Sequence, residues 1–206
     1  MNRNRTDTRK MAECALLIAA SVMLSFIKMY EAPLGGSVTL FSMVPLMLVS
    51  LRHGLGWGLG SSFIYGIIEL LLGASVISPV RTPVGLILVI LLDYYLAFTS
   101  IGLAGIFRKV KFSKNNKVSV TIGAFCGVLF ACLVRFVCHF ISGAVVWYEI
   151  TKDGGWNDYV QTVGMWLYSF VYNITYLGPE TVMALIAVPV MVTVLNIMKK
   201  NTRNSI

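Results

Sequence analysis

The chain has 206 residues, 57% of them hydrophobic and 13% charged, with a net charge of +8, and its mean hydropathy is +0.77. That balance excludes a soluble globular domain, and the sequence predicts an all-α integral membrane protein. A β-barrel would need segments of about ten residues alternating in polarity, and the sequence has none.

Six apolar stretches follow one another, at about 11–29, 38–51, 55–72, 84–107, 118–147 and 163–198. A bilayer core of about 30 Å takes about 20 helical residues. The second stretch is short for a crossing, which predicts a broken or partly re-entrant helix, and the last two are long enough to tilt or project. The first follows a basic start, but it is long for a secretory leader and no A-x-A site follows, so it is expected to be the first helix. At the start of the third, Gly54, Gly56, Gly58 and Gly60 lack the lysine of a phosphate-binding loop and read as close helix packing. No soluble domain, linker or repeat interrupts the pattern. The expectation is one six-helix membrane domain over 1–206.

The basic residues sort by position. Arg3, Arg5, Arg9, Lys10, Arg52, Arg108, Lys109, Lys111, Lys114, Lys117, Lys199, Lys200 and Arg203 fall at the termini and the even-numbered loops. Lys28, Arg81 and Lys152 fall on the other side, and Arg135 lies within a helix. The positive-inside bias then makes both termini cytoplasmic, with six crossings. The charge reads as a topology signal and a lipid headgroup contact, not as a nucleic-acid surface.

Enzyme chemistry finds little to stand on. The two histidines, His53 and His139, fall at opposite ends of the helices, and H-E-x-x-H, G-x-S-x-G and a second imidazole for haem are all missing. Cys14, Cys126, Cys132 and Cys138 lie in apolar segments without metal-ligand spacing and read as small packing residues. No catalytic residue, metal or cofactor is expected.

Polar residues gather in the outer halves of three predicted helices. In the fourth stretch Asp93 and Tyr94 lie about ten residues from the outer end. An intramembrane acid costs roughly 2.5 to 3.5 kcal/mol on insertion scales, so Asp93 must face a cavity or a partner such as Arg135. In the fifth, His139, Gly143 and Trp147 recur every four residues and share a face, one turn beyond Arg135. In the sixth, Tyr168, Tyr172 and Tyr176 form a stripe beside Asn173 and Glu180. Trp147 and Trp166 taken alone also suit an interface belt. Together, the acid, imidazole, amide and aromatics suit a small, flat, hydrogen-bonding cation.

At these residues the chain resembles the thiamine-specific substrate-binding subunit, or S component, of energy-coupling factor transporters. The resemblance runs nearly end to end. It is carried by GGSVTL at Gly35 to Leu40, LLDYYLAFTSIGLAG at Leu91 to Gly105, RFVCHFISGAVVW at Arg135 to Trp147 and YSFVYNITYLGPE at Tyr168 to Glu180. It implies the S-component fold in a bacterial plasma membrane and a pocket, open to the outside, that holds thiamine under the first loop. Asp93 then matches the acid facing the thiazolium, with Tyr94 beside it. His139, Tyr168 and Asn173 match positions around the aminopyrimidine, Gly143 leaves room for the ligand, and Trp147 matches the stacking aromatic. Ala15 and Ala19 match an A-x-x-x-A that meets the transmembrane coupling subunit, which works with two ATPase subunits. Tyr172, Tyr176 and Glu180 stay open between helix packing and the pocket rim. The chain departs from the family pattern at Tyr95 and in the first loop, where no tryptophan stands between Tyr30 and Val38. The alternatives are an S component for another vitamin or a thiamine precursor, a small secondary carrier, and a membrane enzyme.

Overall fold

The computed structural model describes residues 3–32, 35–155 and 158–204, with backbone alone at 3–6 and 199–204. Arg3, Arg5, Lys199, Lys200 and Arg203, counted in the charge asymmetry, therefore lie outside the described side chains.

Helix α1 spans Arg3–Ser25. It stops four residues before the apolar run does, because Lys28–Glu31 (β1) pairs antiparallel with Ser37–Thr39 (β2). Gly35 and Gly36 make the reversal, with φ of 86° and 85°, a backbone region that side chains disfavour. The second stretch, expected as helix over 38–51, is helical only in α2, Val44–His53, which starts with a proline in its first turn. At ten residues α2 is about 15 Å long, half a bilayer core.

Gly54, at φ 99°, turns the chain directly into α3, Leu55–Leu72. Of the glycines around it, Gly58 packs against Ser50 of α2, whereas Gly56 and Gly60 face open space. Close helix packing is thus concentrated at one position of the four. Helix α4 spans Pro83–Gly105, capped by the Thr82 hydroxyl accepting from the Gly85 N–H at 3.2 Å. It widens to a π-helix over Ile90–Leu96 and tightens to 3-10 geometry over Ser100–Gly105. Helix α5 spans Asn116–Asp153, six residues beyond the expected end, with a second π segment at Gly143–Trp147. A short α6, Asp158–Thr162, leads into α7, Met165–Asn204, which carries Pro179 and Pro189.

Among the described residues four helices are long and apolar enough to cross a membrane: α3, α4, α5 and α7 up to Met198. Helix α1 is as long, but its first turns are polar. Large apolar side chains such as Leu16, Leu71, Val84, Leu133 and Ile186 stand exposed on the helices, as lipid contact requires. One apolar core, with Leu46, Met47, Tyr65, Ile101, Val128 and Met191 at its centre, joins α2, α3, α4, α5 and α7. Small residues bring the backbones together there. Gly127 of α5 lies against the Ala104 carbonyl of α4, and Ser50 of α2 bonds the Gly102 carbonyl and accepts from the Gly105 N–H at 3.0 Å.

Candidate functional site

The two π segments build the site. A π turn lets an extra residue bulge from the helix and re-aims the side chains on it, a device common at functional sites. On α4 it presents Asp93 and Tyr94; on α5 it presents Gly143 and Trp147. The fourfold spacing of His139, Gly143 and Trp147 is therefore not plain α-helical in its last step, and the wide turn carries the Trp147 indole to Asp93.

Asp93 is buried and accepts three hydrogen bonds. Its Oδ1 lies 2.9 Å from His139 Nδ1, and its Oδ2 receives the Ser142 hydroxyl at 2.7 Å and the Trp147 indole N–H at 2.8 Å. Arg135 does not pair with Asp93. It pairs with Glu180 at 2.6 Å, both buried, and also donates to Met43 Sδ at 2.7 Å. A ring that donates to Asp93 Oδ1 through Nδ1 presents Nε2 as an acceptor when it is neutral. That Nε2 is buried and has no hydrogen-bond partner among the described residues.

Helix α7 forms the next wall. Tyr168 and Tyr172 stack with centroids 5.9 Å apart, and Tyr172 meets Tyr176 edge-on at 6.0 Å. The Asn173 amide donates to the Ser169 carbonyl at 2.9 Å and the His139 carbonyl at 3.3 Å, and its carbonyl accepts the Tyr176 hydroxyl at 2.6 Å. The Tyr168 hydroxyl donates to Thr151 Oγ1 at 3.3 Å. A side chain on Gly143 would run into Ser169 Oγ and stand 2.9 Å from Asn173 Nδ2. The glycine here lets α5 and α7 approach, as well as lining the cavity.

The first loop closes over these walls. The Tyr172 hydroxyl donates to the Gly35 carbonyl at 2.6 Å, and the Tyr176 ring packs under Gly36. Glu180 Oε1 accepts both the Thr39 N–H at 3.1 Å and the Thr39 hydroxyl at 2.7 Å. Glu180 thus joins the buried arginine to the loop strand.

The cavity has a volume of about 250 Å³, just below the usual range for ligand pockets of about 300 to 1,000 Å³, so it suits a small molecule. Asp93, Tyr94, His139, Gly143, Trp147, Tyr168 and Asn173 all line it, as do Tyr172, Tyr176 and Glu180. It lies at the Ser25 end of α1, away from the N-terminus. Its charged lining consists of Lys28, Glu31, Glu69, Asp93, Arg135 and Glu180. Lys28 pairs with Glu31 at 2.6 Å and Arg135 with Glu180. Two carboxylates, Asp93 and Glu69, have no lysine or arginine partner among the described residues. Glu69 is a charged lining residue that sequence reasoning passed over. A lone acid in the third apolar stretch carries the same signal as Asp93, an intramembrane charge that lipid does not tolerate.

Ala15 and Ala19 lie apart from the cavity, both exposed on α1.

Comparison with known proteins identifies the family. The family described as "Thiamine transporter protein (Thia_YuaJ)" matches residues 11–200. The thiamine transporter ThiT of Bacillus subtilis is 32% identical over 192 residues, covering 90% of this chain and 91% of that one. The ThiT of Lacticaseibacillus paracasei is 26% identical over 190 residues, covering 88% and 86%. The solved structure of ThiT from Listeria monocytogenes superposes with a TM-score of 0.68 over 95% of this chain and 97% of that one, at 21% identity, which establishes a shared fold. With the family matched along nearly its whole length, this chain is a multi-pass membrane protein of the thiamine transporter family and not an enzyme.

Proposed function

We propose that the cavity binds thiamine and that the chain is the substrate-capturing S component of an energy-coupling factor importer. The observation that carries this reading is Asp93, a carboxylate fixed by three donors beside the Trp147 ring, in a cavity whose other ion pairs cancel. A fixed carboxylate and an aromatic face together suit a delocalised, flat cation such as thiazolium. The aromatic face contributes about 0.5 to 2 kcal/mol to cation binding, more when water is excluded. His139 Nε2 supplies an acceptor for the 4-amino group of the pyrimidine. The stacked pair of Tyr168 and Tyr172 forms a wall for that ring. Asn173 keeps Tyr176 and the α5 backbone in place, and it meets the ligand through that wall.

Both termini are cytoplasmic in this reading, with α1 and the short α2 completing six passes. The loop of β1 and β2 closes the outer mouth. Transport is driven by a separate coupling subunit and two ATPases, with α1 meeting the coupling subunit through Ala15 and Ala19. Thiamine has roughly 18 heavy atoms, and at about 0.7 kcal/mol per atom, within the range for small ligands, nanomolar binding is attainable.

Isothermal titration of the purified protein with thiamine tests the assignment. One saturable site with nanomolar affinity is expected. No binding at micromolar thiamine, or tighter binding of a different vitamin, would overturn it.

A further inference from the structure

The cavity has two buried acceptors without a partner among the described residues, His139 Nε2 on α5 and Glu69 Oε1 on α3. Both belong to side chains that line it. A buried acceptor left unpaired is costly, and in a cavity wall that cost is removed when a ligand donates to it. Thiamine carries two hydrogen-bond donors, the amino group on its pyrimidine and the hydroxyl at the end of its hydroxyethyl arm, with the cationic ring between them. Two unpaired acceptors on two walls, with Asp93 as a further carboxylate in the lining, repeat that arrangement.

The polarity of the fit follows from the neighbours. His139 stands by Asn173 and Tyr176 of α7, with its ring 6.0 Å from that of Tyr176. Glu69 belongs to the α3 wall, one turn from Gly73, whose carbonyl accepts the Tyr94 hydroxyl at 3.4 Å. Tyr65 stands one turn earlier on α3 and lines the same cavity, and Glu69 Oε1 has no hydrogen-bond partner among the described residues. The pyrimidine amine belongs at His139, and the hydroxyl at the α3 wall.

Resting on the thiamine reading, we infer that Glu69 is a specificity-determining residue: its carboxylate accepts the terminal hydroxyl of the cargo and selects ligands that carry a free hydroxyl there. A hydrogen bond to a charged acceptor discriminates strongly, because the analogue without the donor leaves the buried carboxylate unpaired.

The test compares thiamine with its deoxy analogue, which carries ethyl in place of hydroxyethyl, in wild type and Glu69→Leu. Wild type should prefer thiamine by about 10- to 100-fold, and Glu69→Leu should bring that ratio to within threefold of one while still binding the deoxy analogue. An unchanged ratio in Glu69→Leu, or no preference in wild type, overturns the inference and leaves the thiamine assignment standing. Failure of wild type to bind thiamine removes both. Should Glu69→Leu bind neither ligand, Glu69→Gln is read on the same ratio. Its neutral acceptor makes a weaker bond, so a drop of threefold or more supports the inference and an unchanged ratio overturns it.

Discussion

Asp93 accepts three hydrogen bonds in the cavity wall, and in the proposed reading its charge is the property the cargo reads. Asp93→Asn keeps the shape but removes the counter-charge and faces an amide with donors on Ser142 and Trp147. Thiamine should bind at least about 30-fold more weakly, while a neutral aminopyrimidine fragment should lose less than fivefold; competition binding measures both, and equal losses would make Asp93 structural. Asp93 was legible in the sequence because an acid in an apolar stretch is conspicuous. Its partners were not: Arg135 lies on the same predicted helix as His139, and only the fold sends one to Glu180 and the other to Asp93. Asn173 was equally conspicuous, but the structure commits its amide to Ser169 and Tyr176 on its own helix and to the His139 carbonyl, and that last bond depends on a crossing no single helix encodes.

Whole elements act through two devices, the π turns and the first loop. Neither π turn is legible in the sequence, because fourfold spacing fits an α-helix and gives no sign of an extra residue per turn. The loop was legible as a break around Gly35 and Gly36, while its fastening to α7 was not, since Tyr172 and Glu180 were ambiguous between packing and rim. Tyr172→Phe removes the bond to the Gly35 carbonyl. A bond of that kind contributes about 0.5 to 1.5 kcal/mol, so thiamine should leave about 2 to 10 times faster in stopped-flow release, with a smaller change in the rate of entry. Gly143→Val places a side chain against Ser169 and Asn173. Overpacking at such a contact costs about 1 to 3 kcal/mol, so the variant should melt at lower temperature without ligand and lose most of its stabilisation by thiamine. An unchanged melting point would mean that α5 and α7 separate freely.

Across the whole molecule, composition and the apolar stretches made the membrane class legible, since lipid sets segment length directly. The first two stretches were read less well: a hairpin consumes the end of one and the start of the other, and two short strands have too little sequence to announce themselves. In the proposed reading, binding and coupling fall on different parts of the fold. Ala15→Trp enlarges an exposed position on α1 away from the cavity, so thiamine affinity should stay within twofold while uptake by cells carrying the complete transporter is lost; unchanged uptake would remove α1 from the coupling surface. The central claim, that thiamine sits in this cavity against Trp147, is tested most directly by tryptophan fluorescence. Thiamine should quench the wild-type protein saturably, and Trp147→Phe should still bind thiamine but lose most of that quenching; full quenching in Trp147→Phe would place the ligand elsewhere and contradict the account.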